Sequence, residues 1–359
     1  MTVVLAMIFL QISYAAMYLM TRMALNKGMS HYIYVAYRQI IATFLLSPFA
    51  YFAERNQRPP LRKKTLGQIF MLGLLGITLN QNFYNAGLSY TTTTFASTIV
   101  NLIPAITFVM AVCVRLETVD LRTRRGMAKV LGTAFCVGGA IFMTLIKGPA
   151  LTSIKLHEVP RNVVLFVDYF KSTDFKATNW ILGAFFVFAS ALSWSSWMTF
   201  QVFVTKDYPC RLSLTALICN MAALQSIIIA LLFEKPSAWK VKWDIQLLTC
   251  LYSGMVPSAI GYFIQVWGVK EKGPVFTAAF SPLTTVLVAI LEPLFLHVNL
   301  HLGSLLGMVM VIGGLYSVLW GKSMDEKARE RSSGQVRDQL EAEEAGITEA
   351  LLAKDVAKQ

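Results

Sequence analysis

Charged side chains are scarce in this sequence, since Asp, Glu, Lys and Arg make up 14% of its 359 residues. A soluble domain carries about 25% charged residues, so this chain has too few to cover a surface that faces water. Hydrophobic residues make up 55%, and the mean hydropathy is +0.55. Apolar runs of roughly 20 residues, enough to cross a hydrocarbon core about 30 Å thick, recur along the chain. The composition predicts an integral, multi-pass membrane protein and excludes a soluble globular one.

Cysteine and histidine are also few, and neither forms a pattern typical of a catalytic or metal site. Of the five cysteines only Cys210 lies in a loop, and this odd number argues against disulfides or a metal site. None of the four histidines lies opposite a serine with which it could form a dyad. The chain has no Walker A sequence. We therefore expect no enzyme activity, no cofactor and no direct use of ATP.

A long internal repeat is the main organisational feature of the chain. The stretch 87–139 recurs at an offset of 181 residues, as in Phe95 and Phe276. After a loop six residues shorter, the stretch 312–314 repeats the Val-Gly-Gly of 137–139 as Ile-Gly-Gly. A period far longer than the 20–50 residues of solenoid repeats indicates two fused halves.

Ten apolar spans can be drawn, five in each half. In the first half they cover about Val3–Leu25, Tyr32–Phe52, Leu66–Leu88, Phe95–Val114 and Ala128–Ile146. In the second half they cover about Trp180–Val204, Leu212–Phe233, Leu247–Trp267, Pro274–Phe295 and Leu302–Trp320. The predicted fold is all-α, with ten transmembrane helices in two five-helix repeats, 1–147 and 179–322. The connection 148–178 is expected outside the cytosol, and the charged tail 323–359 is expected to be disordered.

The basic residues of the short connections lie mostly on one side of this predicted bundle. Fourteen Lys and Arg follow the even-numbered spans and four follow the odd-numbered ones. Because positive residues favour the cytosolic side, both termini are predicted to be cytosolic. An odd number of spans in each half then makes the two halves inverted in the membrane. The net charge of +12 is explained by this placement, so we expect a lipid bilayer and no nucleic acid as a partner.

Polar side chains inside the spans must face protein or a wet cavity, because an unmet polar group in lipid costs several kcal/mol. Span three carries four amides in the six residues 80–85. Two interpretations stay open, namely hydrogen bonds between helices or the lining of a central cavity. Under the second, we expect a neutral polar substrate site built from Asn80, Tyr84, Ser97, Asn101, Trp194, Tyr262, Gln265, Thr277 and Ser281.

Spans four and nine each carry a proline at a matching place, Pro104 and Pro282. A proline frees the backbone carbonyl one turn earlier. Broken helices at matching places in two halves are typical of a central transport site, although proline kinks also occur without function. For Trp194, ordinary packing or anchoring at the membrane interface is the alternative interpretation.

Arg38 is a strong functional candidate, since it lies about seven residues, or roughly 10 Å, inside span two. Glu292 of span nine lies at a similar depth from the same side. One hypothesis is an Arg38–Glu292 ion pair that opens and closes during a transport cycle and couples an ion to it. Another is that Arg38 binds a substrate carboxylate through two hydrogen bonds. The third is a static structural pair.

The residues resemble those of a known family, the plant EamA-type members of the drug/metabolite transporter superfamily in the UMAMIT or Walls-Are-Thin-like group. The resemblance covers nearly all of 1–322. It is carried by 24–30 (ALNKGMS), Tyr37-Arg38, 48–52 (PFAYF), 82–84 (NFY), 101–105 (NLIPA), 115–117 (RLE), 272–276 (KGPVF) and 314–322 (GLYSVLWGK). It implies two inverted five-helix EamA repeats. It also implies export or bidirectional carriage of amino acids, with auxin carried by some relatives.

The prediction is therefore a secondary transporter that moves amino acids by alternating access. Auxin (indole-3-acetic acid) or another small organic metabolite is the alternative substrate, and a non-transporting receptor or scaffold that uses the tail is the alternative class. Few buried charges suit a small zwitterion or amphipathic acid better than a phosphorylated solute. The plasma membrane and the vacuolar membrane, a coupling proton and a homodimer are left open.

Overall fold

Every regular element in the described part of the chain is helical. The computed structural model describes residues 2–88, 90–91, 93–117, 122–145, 177–240, 244–296, 302–303, 305–325 and 328. Most of the predicted connection 148–178 and most of the predicted tail 323–359 lie outside these residues. The helical regions agree with the prediction of an all-α membrane protein.

Ten long helical stretches, numbered α1 to α10, lie within these ranges, with a short 3-10 turn at Pro236–Trp239. The continuous ones are α1 Thr2–Asn26, α2 His31–Glu54, α5 Arg124–Leu145, α6 Ala177–Asp207, α7 Arg211–Phe233 and α10 Leu305–Asp325. A π-helical turn interrupts α3 (Lys63–Gly73, Leu74–Leu79, Asn80–Leu88) and α8 (Ile245–Ser253, Gly254–Ile260, Gly261–Lys272). A break divides α4 (Thr93–Val100, Ile103–Cys113) and α9 (Pro274–Ala279, Ser281–Leu296).

Eight of the described helices are long and apolar enough to cross a membrane. The two stretches outside that set are α3 and α5, although each coincides with a predicted span. The amides of α3 lower its hydropathy, and α5 begins with Arg124 and Arg125 and carries Lys129 one turn later. Length and composition therefore identify eight candidate membrane spans among the described helices, and α3 and α5 are not among them.

Proline explains the two breaks. The second segments of α4 and α9 begin at Ile103 and Ser281, and Pro104 and Pro282 take the next position in each. Proline suits the first turn of a helix but cannot supply the hydrogen bond that would continue the preceding one. Both breaks therefore leave backbone groups available in the middle of the bundle.

The third helix of each predicted half packs on the second helix of the other. A Cβ atom added to Gly73 of α3 would lie 3.2 Å from the backbone of Ala222 in α7, with Ile218 beside it. A Cβ atom added to Gly254 of α8 would lie 2.7 Å from Ile41 in α2 and 3.0 Å from the carbonyl of Arg38. Corresponding residues in these two contacts differ in number by 180 or 181. The two π-helical turns differ by the same amount.

Glycines bring α5 and α10 into backbone contact. A Cβ atom added to Gly139 would lie 2.9 Å from the carbonyl of Gly307, and one added to Gly314 would lie 2.7 Å from that of Gly132. As numbers rise along α5, the contacting numbers fall along α10, so the two helices are antiparallel. Small residues at such contacts are typical of helix pairs in membranes.

Gly314→Ala should therefore destabilise the protein by about 1–3 kcal/mol, because its Cβ atom would lie 2.4 Å from the backbone of Cys136. The matched control is Gly313→Ala, since a Cβ atom at Gly313 meets nothing within 4 Å. Thermal unfolding in detergent, followed by tryptophan fluorescence, measures both variants. Equal melting temperatures would show that the α5–α10 contact is looser than described.

The core lies between helices, and the outer surface is apolar. Buried residues of α2, α3, α6, α7 and α8 form one continuous cluster that includes Trp197 and Tyr262. Facing outward, Phe52 is 78% exposed and Phe44 76%. An apolar surface of this extent would aggregate in water and is suited to acyl chains.

Candidate functional site

Arg38 lies at the centre of the candidate site, in the first half of α2. Its side chain is buried, at 3% exposure. The guanidinium donates from Nε to Ser258 Oγ at 2.5 Å and from Nη2 to Tyr262 OH at 2.9 Å. Ser258 lies in the π-helical turn of α8, and Tyr262 follows it by four residues. The close approach at Gly254 brings this face of α8 against α2.

The partners of this buried cation are neutral. No carboxylate among the described side chains lies within 4.0 Å of the guanidinium. The hydroxyls of Tyr14, Tyr18 and Tyr34 lie close enough to interact with it electrostatically. Burying an isolated charge is costly, so an arrangement that leaves Arg38 with hydroxyl partners favours the binding of an anion.

The hydroxyl groups around Arg38 differ in whether they already have hydrogen-bond partners. Tyr34 OH donates to Ser253 Oγ at 2.8 Å and accepts from Thr21 Oγ1 at 2.9 Å, which joins α1, α2 and α8. Tyr14 OH is buried and has no hydrogen-bond partner within the described part of the chain. Tyr14 therefore offers an uncommitted hydroxyl close to the cation.

An aromatic cluster borders the site on the side of α6. The Trp194 and Trp197 rings lie 4.8 Å apart, and Trp197 meets the Tyr262 ring edge-on at 6.0 Å. Trp197 packs against Gly76 of α3, where an added Cβ atom would lie 2.5 Å from the indole. The indole Nε1 of Trp197 has no partner among the described residues. Trp194, a predicted site residue, is thus a member of this cluster.

Asn80 is engaged in a contact between α3 and α6. Its Nδ2 donates to both the carbonyl and the Oγ of Ser190 at 3.0 Å, and Ser190 Oγ donates back to the Asn80 carbonyl at 2.8 Å. Asn82 Nδ2 donates to the Thr78 carbonyl at 2.6 Å. In this conformation Asn80 therefore supports the first interpretation, hydrogen bonds between helices, whereas the bond of Asn82 lies within α3. A substrate contact by Asn80 stays a prediction.

Tyr84 and Gln265 lie nearer the centre. Tyr84, one turn after Asn80, is half-buried and lies within electrostatic reach of Tyr18, which in turn lies near Arg38. Gln265 is buried one turn beyond Tyr262, and its Oε1 has no partner in the described ranges. Both side chains are therefore suitable for lining a polar path.

A hydrogen bond joins the break in α4 to the second segment of α9. Asn101, at the break in α4, accepts at Oδ1 from Thr285 Oγ1 of α9 at 2.9 Å. Ser97 and Ser281 are half-buried beside the two breaks. Thr277 is fully buried and donates to the Gly273 carbonyl of its own helix at 3.1 Å. Asn101 thus contacts α9, whereas the hydroxyl of Thr277 is used in a hydrogen bond to the backbone one turn earlier.

The hypothesis of an Arg38–Glu292 pair is not tested, because the side chain of Glu292 lies outside the described residues. Sequence reasoning missed Tyr14, Tyr18 and Tyr34 as neighbours of Arg38. Their spacing carried a signal, since Tyr14 and Tyr18 are four residues apart, as are Tyr34 and Arg38. Residues at that spacing share one face of a helix.

A charged cluster closes one end of the bundle, where α10 ends. Lys129 Nζ lies 2.5 Å from Asp325 Oδ2 and 3.4 Å from Glu117 Oε2. Lys322 Nζ donates to Glu117 Oε1, and Arg125 Nε lies 3.3 Å from Asp325 Oδ1. The side chains of Lys129 and Glu117 are only 1% and 5% exposed. Three of the four pairs join a residue of the first predicted half to a residue of α10.

The chain turns sharply to bring Glu117 into this cluster. Arg115 adopts φ +57°, and the amides of Leu116 and Glu117 both donate to the Ala111 carbonyl, at 2.8 and 3.2 Å. A left-handed backbone at a residue other than glycine costs about 1–2 kcal/mol. The end of α4 is therefore held in a strained turn while its carboxylate contacts α5 and α10.

Comparison with protein families then identifies the fold. A family model described as the EamA-like transporter family matches residues 1–145 and 181–320. The chain belongs to this family. The match covers more than half of the chain, so the protein is an integral membrane protein of a transporter family.

Plant proteins are similar along most of the chain. Protein WALLS ARE THIN 1 of Arabidopsis thaliana is 42% identical over 327 residues, covering 90% of this chain and 83% of the relative. A WAT1-related protein of Arabidopsis thaliana is 41% identical over 324 residues, covering 90% and 86%. An auxin-induced protein of Pinus taeda is 40% identical over 328 residues, covering 90% and 79%. The predicted membership of the plant WAT1-related group of EamA proteins is confirmed.

A solved crystal structure has the same overall fold. It superposes with a TM-score of 0.64 at 16% identity, covering 88% of this chain and 97% of the other. At that identity the similarity concerns the fold alone.

Proposed function

We propose that this EamA protein is a secondary transporter that moves amino acids by alternating access, by export or in both directions. The observation that carries the proposal is Arg38, a buried cation in the middle of the bundle whose described partners are all neutral. A substrate carboxylate would complete its coordination with two hydrogen bonds. Transport chemistry breaks no bond, so the proposal includes no enzyme activity.

The proposed architecture has ten transmembrane helices in two inverted five-helix repeats. The contact of Gly73 with α7 and the contact of Gly254 with α2 support it, because corresponding residues in the two contacts differ in number by the repeat offset. The antiparallel packing of α5 on α10 supports opposite orientations of the two halves. We further propose that α3 and α5 cross the membrane, with their polar groups turned toward neighbouring helices. Both termini would then be cytosolic.

In this mechanism Arg38 binds the carboxylate, and Ser258 and Tyr262 hold the guanidinium between substrates. Tyr14, Tyr84 and Gln265 supply hydroxyl and amide groups for the rest of a small zwitterion. Asn80, Ser97, Asn101, Thr277 and Ser281 would contact the solute only after the helices that bear them have moved. Glu292 remains the candidate for coupling a proton to that movement.

Alternating access requires one end of the site to close while the other opens. We propose that the charged cluster of Glu117, Lys129, Lys322 and Asp325 is the cytosolic gate. The glycine contact keeps α5 and α10 together, so Glu117 at the end of α4 is the group that withdraws. Lys129 still has Asp325 when Glu117 leaves, which keeps the cost of opening moderate.

Auxin is the alternative substrate, and the aromatic cluster favours it. Tyr262 contacts both Arg38 and Trp197, so a carboxylate at Arg38 would bring an attached indole ring toward the aromatic rings. Stacked or edge-on aromatic pairs contribute about 0.5–1.5 kcal/mol beyond burial. The name of the pine relative refers to induction by auxin, which suggests including this acid in any test.

The experiment that tests the proposal is transport by the purified full chain in proteoliposomes. Uptake and efflux of labelled amino acids and of indole-3-acetic acid are measured with and without a pH gradient. We expect saturable movement of at least one carboxylate solute, and no movement of its amide derivative. Equal rates for acid and amide would remove the role given to Arg38.

Removing the tail distinguishes a transporter from a receptor or scaffold. The cut is placed after Asp325, because that residue belongs to the charged cluster. We expect the truncated protein to keep its transport rate within about twofold, since no part of the proposed path lies beyond the cut. A scaffold would lose function on truncation, and a matching loss of transport would contradict the assignment.

A further inference from the structure

The end of α2 and the loop that follows it form a basic, aromatic surface. Five of the ten residues from 55 to 64 are Lys or Arg, and none is acidic. Just before them, Tyr51 and Phe52 are exposed on the outer surface of the bundle. Aromatic residues at a helix end are typical of the membrane–water interface. The basic residues therefore lie at the level of lipid headgroups.

Two arginines converge on one ring of this surface. The guanidinium carbon of Arg55 lies 5.5 Å from the Tyr51 ring centroid, and that of Arg58 lies 5.7 Å from it. Both distances are within the cation–π range of about 6 Å. Because the two cations share one ring, they are held close together despite their like charge.

The nearby carboxylates are engaged elsewhere. Glu54 accepts hydrogen bonds from the amides of Leu212 and Ser213 at the start of α7, at 3.1 and 2.7 Å. Asp207 pairs with Lys64 at 3.0 Å. Among the described side chains no carboxylate oxygen lies within 4.0 Å of the Arg55 or Arg58 guanidinium. This pair of cations is therefore suited to an anionic ligand.

We propose that Arg55, Arg58 and Tyr51 bind the phosphate of an anionic phospholipid. Guanidinium groups bind phosphate through paired hydrogen bonds, which a planar fork provides and an ammonium group does not. The ligand is a lipid because Phe52, 78% exposed, faces the region that acyl chains fill. In the proposed orientation this is the cytosolic leaflet, where anionic lipids are concentrated.

The test is retention of phosphatidylinositol 4-phosphate by the detergent-solubilised full chain, titrated in native mass spectrometry. Arg55→Gln with Arg58→Gln is compared with Arg62→Gln with Lys63→Gln, which removes the same charge from the same basic stretch, 55–64. We expect the first variant to weaken lipid binding at least about tenfold more than the second. A difference below about fivefold would show diffuse attraction and overturn the site.

Two further arms make the test specific. Arg55→Lys with Arg58→Lys keeps both charges, and we expect it to weaken binding severalfold because the forks are lost. If the glutamine variant does not fold, this lysine variant decides, and unchanged binding by it contradicts the proposal. Inorganic phosphate at the same concentration should not displace the lipid. Displacement would indicate a site for soluble phosphate.

Discussion

Arg38→Gln should lower the transport kcat/KM of the preferred carboxylate solute by about 30-fold to 5,000-fold. Truncating one member of a buried, hydrogen-bonded charge pair costs about 2–5 kcal/mol, and the substrate carboxylate is the other member in our proposal. The loss should fall mainly on carboxylate solutes, so the variant should discriminate less between an acid and its amide. Transport in proteoliposomes, measured over a range of solute concentrations, gives both quantities.

Stability separates this role from a structural one. In the described structure Arg38 has only hydroxyl partners, so its burial is a cost to folding. We therefore expect Arg38→Gln to melt at the same temperature as the parent protein or above it. Arg38→Lys keeps the charge but loses the planar guanidinium that can donate two parallel hydrogen bonds. Its transport kcat/KM should lie between those of the parent protein and Arg38→Gln. A glutamine variant that unfolds readily would indicate a static structural pair.

Glu117→Gln should destabilise the protein by about 3–5 kcal/mol, because it removes the buried carboxylate that Lys322 and Lys129 both contact, and Lys129 then keeps Asp325 whereas Lys322 loses this partner. Adding Lys322→Gln should restore much of this stability, since the charge that Glu117 had compensated is then removed. Thermal unfolding of the two single variants and the double variant measures the coupling.

The double variant also tests whether the cluster is a gate. Thr107 is fully buried in α4, six residues before the helix ends at Cys113. With the five native cysteines replaced, Thr107→Cys should react severalfold faster with a membrane-impermeant thiol reagent when Glu117 and Lys322 are both glutamine. An unchanged rate in a stably folded double variant would identify the cluster as a permanent support.

Much of the fold was accessible from the sequence because hydropathy and small residues act locally. The apolar runs predicted the helices, and Pro104 and Pro282 marked the two breaks within about two residues. The contact between α5 and α10 could not be predicted, since nothing in the sequence around Gly132 specifies Gly314 as its neighbour. The π-helical turns were also missed, because one extra residue in a turn leaves the hydropathy unchanged.

The candidate site was less predictable because it depends on contacts between distant segments. Arg38 was identified from its charge alone, since a cation in a membrane helix is costly. Its partners Ser258 and Tyr262 lie about 220 residues away, and only the packing of α8 on α2 brings them there. Asn80 shows the reverse case, in which a polar residue predicted to line a cavity is bonded to Ser190. A polar residue in a membrane span is expected to be buried against protein, but its residue type does not show whether it holds helices together or binds a solute.

The central claim is that the two halves enclose a site beside Arg38 that opens alternately to each side of the membrane. Cys219 tests it directly, because this buried thiol lies within electrostatic reach of Arg38 and corresponds to it at the repeat offset. A protein that keeps Cys219 as its only cysteine is exposed to a small thiol reagent from one side of the proteoliposome at a time. We predict labelling from both sides, slowed by a transported carboxylate solute. A thiol that reacts from one side only, or from neither, would contradict the account.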